Sequence, residues 1–307
     1  MIRRGRTLVA GVVAVSLLSA VVAGCGDSKT SSSAKPAVNI ANKGFTESNI
    51  VAEAYKQALE SAGFPVTLKP LTSTAIADAA IRKGDIDIYP DYTTTLLTDV
   101  LKVASPPTDV AAQVDAIKAG YASRGLTVLD VAPFNNDNEV ACTKDAVAKY
   151  SLTDLSSLGK ASGNLVYSAN PEHTTRADGL PLLTREYGIK FKDVIKVDIG
   201  LRYRPVEQGQ AQCVYAFGTD PKIAADDLVV LTDDKGKFQG APYQGIPVVS
   251  QKFLDAAPAE FAATINKVSA ALTSDEVRKM NASVDLKKED PDVVAKAFLD
   301  AKGLLAK

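Results

Sequence analysis

The sequence of 307 residues contains no tryptophan, one histidine and three cysteines. Because His173 is the only imidazole, a metal site with several histidine or cysteine ligands cannot be assembled. A hydrolase with a histidine base would have to use the same residue, and no nucleophile-elbow motif accompanies it. Glycine-rich phosphate loops with the required spacing are also missing from the sequence. We therefore expect a protein that is not an enzyme and that uses no cofactor or metal.

The chain also lacks an imbalance of charge. Its 35 basic and 36 acidic residues give a formal net charge of −1, and the two signs are interspersed. This distribution does not favour nucleic acid as a partner, nor a polybasic attachment to membranes. Beyond the N-terminal region, no apolar stretch is long enough to span a bilayer. We expect a monomer.

The one long apolar run lies near the N-terminus. Three arginines precede an uncharged stretch from Thr7 to Ala23, which ends in small residues before Cys25. This pattern is typical of an export signal with a short apolar region. Residues 1–24 are therefore predicted to be a signal peptide. Val22-Ala23-Gly24-Cys25 resembles a bacterial lipobox, in which Cys25 carries the lipid, and a plain signal peptide or a membrane anchor is the alternative.

A polar segment follows the predicted lipidation site. Residues 25–37 include GDSKTSSSAKP at positions 26–36, which has no large apolar side chain. Such a composition favours a flexible linker. We expect an exported protein that is held at the outer face of the cell membrane only through the lipid on Cys25.

Strand and helix patterns alternate along the rest of the chain. Val38–Ala41, Val66–Leu68 and Ile86–Tyr89 are predicted strands. Between them the apolar spacing predicts one helix that is capped by Thr46 and a second helix from Thr74 to Arg82. This βαβαβ opening indicates an α/β fold with a parallel sheet and helices on its faces.

A second α/β unit is predicted after a polar, turn-rich segment around Asn136. Its strands include Cys213–Phe217, and the tail from Ser250 onward has a helical pattern. Two units joined by crossings near residues 136 and 240 indicate two lobes around a cleft. We expect residues 38–135 and 241–307 to form lobe 1 and residues 136–240 to form lobe 2.

Two cysteines remain for the folded part of the chain, Cys142 and Cys213. Each lies in an apolar, strand-like context, and both fall in the segment assigned to lobe 2. Disulfides persist in exported proteins. A disulfide is therefore favoured over the alternative of two buried free thiols.

Two runs carry a resemblance to a known family. NKGFTES at Asn42–Ser48 and IDIYPDYTTT at Ile86–Thr95 resemble segments of the osmoprotectant-binding proteins of ABC importers, which capture glycine betaine, choline or related quaternary amines. Further matches follow in the same order at Asn135-Asn136, Arg176–Pro181, Gly200–Tyr203, Phe217–Asp220, Leu228–Asp234 and Pro242-Tyr243. The resemblance implies a two-lobe fold of the type II periplasmic-binding-protein class, with the ligand cleft between the lobes.

The resemblance also implies an aromatic cage. A trimethylammonium group has no N–H to donate and is held by aromatic faces through cation–π attraction. Without tryptophan, tyrosine and phenylalanine must form the cage, and Tyr92, Phe217 and Tyr243 match the family positions, with Tyr215 a weaker candidate. Tyr92 follows a predicted strand at its carboxyl end, where open α/β sheets bind ligands.

Polar contacts to the ligand are implied at four further positions. Lys43, Thr95 and Arg176 match residues that grip a carboxylate in the family, and Asn138 lies where family members commonly carry a tyrosine. The sequence thus predicts a solute-binding lipoprotein that delivers a small compatible solute to the ABC permease subunits in the membrane. Three alternatives remain open, namely a binding protein for an amino acid or another polar solute, a hydrolase with paired carboxylates, and a sensory receptor on the same fold.

Overall fold

The computed structural model describes residues 34–305. The predicted signal peptide, Cys25 and most of the linker at 25–37 lie outside the described residues. Ten strands follow one another along the chain: β1 (Val38–Asn42), β2 (Val66–Pro70), β3 (Ile88–Tyr92), β4 (Leu126–Val128), β5 (Asn138–Thr143), β6 (Val166–Ala169), β7 (Asp193–Lys196), β8 (Cys213–Phe217), β9 (Leu228–Val230) and β10 (Gly245–Ser250). They form two five-stranded sheets, as a two-lobe α/β fold requires.

The helices lie between and after the strands: α1 (Thr46–Ser61), α2 (Thr74–Lys83), α3 (Thr93–Thr95), α4 (Val110–Ala122), α5 (Lys144–Tyr150), α6 (Leu155–Ala161), α7 (Pro171–Thr175), α8 (Leu180–Tyr187), α9 (Arg204–Glu207), α10 (Lys222–Ala225), α11 (Gln251–Ala256), α12 (Glu260–Ala271), α13 (Ser274–Asp285) and α14 (Pro291–Lys302). A π-helical turn continues α3 over Leu96–Val100. Within residues 34–305, none of these helices combines the length and the apolar character that a membrane crossing requires.

The first sheet has the strand order β2-β1-β3-β10-β4. Strand β1 is parallel to β2 and β3, whereas β10 is antiparallel to both β3 and β4. The sequence patterns did not predict β10. Pro247 lies opposite Pro90 in this ladder. The Pro247 carbonyl accepts the Leu129 amide beside β4, so the backbone of Pro247 faces β4 and its missing N–H removes no bond from the ladder between β3 and β10. The sheet is therefore mixed and not purely parallel.

The second sheet has the order β7-β6-β8-β5-β9. It is also mixed, because β5 runs antiparallel to β8 and β9. The two chain segments that connect the sheets lie side by side, where Asn135 and Gln244 form an isolated antiparallel bridge. The first sheet takes its strands from 38–128 and 245–250, and the second from 138–230. The lobe boundaries at 135/136 and 240/241 stay predictions.

Helix α1 covers one face of the first sheet and packs against α12, α13 and α14. Its buried face includes Ile50, Ala54 and Tyr55. Thr46 is not its N-cap, because Phe45 occupies that position and Thr46 is the first helical residue. The Thr46 hydroxyl donates to Asp285 of α13 instead, so a tertiary contact replaces the local cap.

Strand β3 lies further along the chain than its pattern predicted. It spans Ile88–Tyr92 and all five residues are buried. The strand lies between β1 and β10, so its ladder continues through the Tyr-Pro-Asp-Tyr segment. Tyr92 is consequently the last residue of a buried strand, and α3 begins directly after it.

Cys142 of β5 and Cys213 of β8 are joined by a disulfide. The two residues are directly paired in the antiparallel ladder. The bridge closes a loop of sequence separation 71, which contains α5 to α9 and two strands of the second sheet.

Candidate functional site

A small cavity is lined by residues that come from both sheets. All seven residues that the sequence predicted as ligand contacts line it: Lys43, Tyr92, Thr95, Asn138, Arg176, Phe217 and Tyr243. Their roles toward a ligand stay predictions, but the fold does bring them together from positions that are far apart in the chain.

Aromatic rings make up much of the cavity wall. Phe45, Tyr92, Tyr215, Phe217 and Tyr243 all line it, and each is at most 9% exposed. The rings of Phe45 and Phe217 are 5.7 Å apart between centroids, and those of Tyr215 and Phe217 are 5.0 Å apart. Phe45 was not among the predicted contacts, although it lies in the NKGFTES segment, two residues after Lys43.

The three tyrosines of this wall have their hydroxyls bonded to protein acceptors. Tyr92 donates to Glu47, Tyr215 donates to Asn138 Oδ1, and Tyr243 donates to Asp178 Oδ2. Burial raises the pKa of Tyr92 and Tyr243 well above the ordinary range, so both phenols stay neutral. Since the hydroxyls are occupied, the rings offer a ligand chiefly their apolar and π surfaces.

One face of Phe217 is already occupied. The guanidinium carbon of Arg202 lies 4.5 Å from the Phe217 ring centroid. Arg202 is held in place by a salt bridge to Asp220, and Asp220 also accepts a 2.8 Å hydrogen bond from the Phe217 amide. This packing fixes the Phe217 ring and leaves its remaining surface to the cavity.

Lys43 is buried and paired. Its Nζ lies 2.6 Å from Asp91 Oδ1, 3.2 Å from Thr74 Oγ1, and 4.9 Å from the Tyr92 ring centroid. Asp91 lies on β3, one residue before Tyr92, and accepts a second bond from Thr74 at 2.8 Å. The Lys43 charge is therefore neutralised within the protein.

Arg176 is likewise paired with a buried carboxylate. Its Nε and Nη2 donate to the two oxygens of Asp178 at 2.6 and 2.8 Å, which is the bidentate geometry of a strong ion pair. Asp178 also accepts the Tyr243 hydroxyl at 2.8 Å, and the pKa of Asp178 is lowered against the opposing effect of burial by Arg176. Asp178 thus links Arg176, which was predicted to bind a ligand carboxylate, to Tyr243.

Glu172 and His173 of α7 also line the cavity. Glu172 Oε1 accepts a 3.1 Å hydrogen bond from the Thr74 amide at the start of α2. His173 stacks on Tyr215 with a centroid distance of 3.8 Å, and its Nε2 lies 3.1 Å from the Tyr167 hydroxyl. Burial, followed by the Arg176 charge, lowers the pKa of His173 to about 3, so the ring is neutral at pH 7.

Two buried amides complete the polar lining. Asn138 Nδ2 and Asn170 Oδ1 have no hydrogen-bond partner among the described residues, although the two side chains are 1% and 4% exposed. Thr95 of α3, which is 2% exposed, adds a hydroxyl on the side of the first sheet. Asn170 was not predicted, because a single asparagine before a proline carries no signal beyond a helix start.

Glu47 lies directly behind the aromatic wall and was also not predicted. Its carboxylate accepts from Tyr92, Asn136, Thr219 and Asn281. The residue is 3% exposed, and burial raises its pKa. Glu47 therefore fixes the Tyr92 ring from a position outside the cavity lining.

The chain and its fold have clear relatives. Residues 36–301 match the family described as the substrate-binding domain of the ABC-type glycine betaine transport system. The carnitine transport binding protein OpuCC of Listeria monocytogenes (strain 10403S) is 30% identical over 275 residues, which is 87% of each chain. A crystal structure of a glycine betaine/carnitine/choline ABC transporter protein has a TM-score of 0.65 at 31% identity, over 87% of this chain and 99% of that chain.

A further relative is larger than this chain. The ergothioneine transport permease/ergothioneine binding protein EgtU of Helicobacter pylori (strain G27) is 29% identical over 273 residues. The match covers 88% of this chain but 48% of EgtU, so the chain spans about half the length of that relative.

The family match over residues 36–301 and the 30% identity to OpuCC show the family. The chain belongs to the substrate-binding domains of ABC-type glycine betaine transport systems, which are extracytoplasmic transport binding proteins and not enzymes.

Proposed function

We propose that this protein captures a small quaternary-amine solute in the cavity between its two lobes and delivers it to ABC permease subunits in the membrane. The observation that carries the proposal is the aromatic wall, in which Tyr92, Tyr215 and Tyr243 have their hydroxyls occupied by protein acceptors. A group without N–H donors, such as trimethylammonium, matches a wall that offers ring surface more than hydrogen bonds. Family membership supports the same class of solute.

Each predicted contact has a role in this proposal. Tyr92, Phe217 and Tyr243 surround the ammonium group, with Phe45 and Tyr215 completing the wall. The polar contacts to the rest of the solute come from Lys43, Thr95, Asn138 and Arg176.

Affinity comes from closure of the two lobes, with residues 38–135 and 241–307 forming one lobe and residues 136–240 the other. The two separate sheets support this division, because the first takes its strands from residues 38–128 and 245–250 and the second from residues 138–230. The hydrogen bond from the Thr74 amide to Glu172 joins α2 beside the first sheet to α7 beside the second. A ligand that contacts both lobes stabilises the closed arrangement by its greater affinity for that state.

A lipid on Cys25 anchors the protein to the outer face of the cell membrane in this proposal. The lipobox-like Val22-Ala23-Gly24-Cys25 supports the anchor. With the linker at 25–37, the anchor keeps the binding lobes close to the permease. The folded chain works as a monomer.

A thermal-shift screen of the purified protein tests the proposed ligand class. We expect one or more of choline, glycine betaine, carnitine and proline betaine to raise the melting temperature, because a ligand that binds only the folded state stabilises it. Ectoine and amino acids serve as comparison solutes without a trimethylammonium group. A shift with an amino acid and none with any quaternary amine would contradict the proposal.

A further inference from the structure

The two basic residues of the cavity are each neutralised by a buried aspartate. Lys43 Nζ lies 2.6 Å from Asp91 Oδ1, and the side chain of Asp91 is fully buried. Arg176 makes its two-pronged contact with Asp178, whose side chain is 6% exposed. Each pair sums to zero charge, so neither residue offers the cavity an uncompensated positive charge.

Glu172 is different, because no basic side chain is bonded to it among the described residues. Its Oε1 accepts a hydrogen bond from the backbone amide of Thr74 at 3.1 Å. The pKa of Glu172 is raised, chiefly by burial; the more distant charges of Arg176 and Lys43 oppose this, and those of Asp91 and Asp99 add to it. The start of helix α2 also favours the ionised carboxylate, since amides at a helix N-terminus carry partial positive charge.

Lys43, Arg176 and Glu172 line the cavity, whereas Asp91 and Asp178 lie behind the two basic residues. With Glu172 ionised, as a bound cation favours, these five groups sum to a formal charge of −1. Glu47, which is hydrogen-bonded to the Tyr92 hydroxyl behind the aromatic wall, has the same sign. A positive ligand charge in this enclosed space is stabilised, whereas an added ligand carboxylate meets no free cation.

We propose that Glu172 is the counter-ion of the bound ammonium group and that the site prefers solutes with a net positive charge, such as choline, over zwitterions such as glycine betaine. This inference rests on the proposed function, because it concerns the same cavity. The preference arises from charge alone: choline and glycine betaine share the trimethylammonium group that the aromatic wall would hold, and glycine betaine adds a carboxylate.

Glu172 has a second possible role, as a contact that holds α7 to α2. The substitution Glu172→Gln separates the two roles, because a glutamine oxygen still accepts the Thr74 amide while the charge is removed. Glu172→Asp does the reverse: it keeps the charge but shortens the reach to Thr74. Glu139→Gln is the matched control, since Glu139 is a partly buried carboxyl of the second sheet that bonds Gln239 and does not line the cavity.

The experiment is calorimetric titration of the wild type and the three variants with choline and with glycine betaine at pH 7.5, after circular dichroism has shown that each variant folds. We expect wild type to bind choline more tightly than glycine betaine. Glu172→Gln should weaken choline by roughly tenfold or more, as the loss of a nearby opposite charge implies, and should change glycine betaine much less. Glu172→Asp and Glu139→Gln should retain most of the choline affinity.

Three results would overturn the inference: tighter binding of glycine betaine by wild type, an equal loss for both ligands in Glu172→Gln, or the same choline loss in Glu172→Asp as in Glu172→Gln. Wild type that binds no quaternary amine would instead refute the proposed function, and this inference with it. The two failures are distinguishable, because the first three require that a quaternary amine binds.

Discussion

The Thr219 hydroxyl donates a 2.5 Å hydrogen bond to Glu47 Oε2 and thereby joins the loop after β8 of the second sheet to helix α1 beside the first. The same carboxylate accepts the hydroxyl of Tyr92 and the amides of Asn136 and Asn281. One buried acidic group thus connects the aromatic wall, the crossing between the sheets and helix α13. All four donors are neutral. Their hydrogen bonds lower the pKa of Glu47 less than burial raises it, so the pKa is raised.

Removing this acidic group should destabilise the protein strongly. Glu47→Ala removes the acceptor that four buried donors share, and only Thr219 and Asn281 have a second acceptor within reach. We expect a loss of about 3 kcal/mol in the free energy of unfolding. Urea denaturation measures it. Glu53→Ala in the same helix is the control, because Glu53 only pairs with Lys56 one turn away and its loss should cost less than about 0.5 kcal/mol. Equal stability of the two variants would mean that the Glu47 network contributes nothing.

The disulfide between Cys142 and Cys213 should contribute measurably to stability. Opening a loop of sequence separation 71 increases the entropy of the unfolded chain, and the loop model gives about 4 kcal/mol for this length. We expect Cys142→Ser combined with Cys213→Ser to lower the urea midpoint, and reduction of wild type to do the same. Rapid labelling of either thiol in native, non-reduced protein would contradict the bridge.

Acid should destabilise the protein partly through His173. Its pKa is lowered to about 3 in the folded state by burial, against an unfolded value near 6.5. Above pH 6.5 the ring is neutral in both states and contributes nothing. Between pH 6.5 and 3 only the unfolded chain takes up the proton, so the free energy of unfolding falls as pH falls.

The variant His173→Phe isolates this contribution, because it keeps a flat ring against Tyr215 but cannot titrate. We expect wild type to lose about 2 kcal/mol more than the variant between pH 6.5 and pH 5, in urea denaturation without ligand. Parallel pH profiles for the two proteins would show that the imidazole is protonated as readily in the folded state as in the unfolded state.

Local patterns predicted much of the fold. Cys213–Phe217 is a strand with the predicted bounds, because five apolar residues in succession suit a strand buried on both faces. Strand β10 was missed for the opposite reason: Gly245-Ile246-Pro247 follows a glycine-rich loop and contains a proline, which reads as a break. The segment can enter the sheet because the backbone of Pro247 faces away from β3, with its carbonyl accepting the Leu129 amide, so its missing N–H removes no bond between β3 and β10.

The sequence predicted which residues line the cavity better than it predicted their ion-pair and hydrogen-bond partners. The sequence identified Lys43 and Arg176 as side chains of the cavity. Pairing of Arg176 with its near neighbours Asp178 or Glu172 was an alternative from the sequence, and the structure shows the Asp178 pair. The pairing of Lys43 with Asp91 was not predicted. Asp91 lies 48 residues from Lys43 in the chain, and Glu47 lies 172 residues from Thr219. Such pairs are set by how the sheets pack, which no local pattern encodes.

The membrane anchor is tested at Cys25. We expect Cys25→Ala to yield protein that is unprocessed or released from the membrane, whereas wild type should require detergent for extraction. Fractionation and mass spectrometry of the mature N-terminus measure both outcomes. Wild type shed quantitatively into the medium without lipid on Cys25 would contradict the anchor.

Calorimetric titration of Tyr92→Ala, beside wild type and Tyr92→Phe, tests most directly whether a quaternary amine binds against the aromatic wall. Tyr92→Ala removes a ring face and should weaken choline by roughly 2 kcal/mol, or about thirtyfold. Tyr92→Phe keeps the ring, loses only the bond to Glu47, and should weaken choline much less. Wild-type affinity for choline in folded Tyr92→Ala would contradict binding of the ammonium group against the Tyr92 ring.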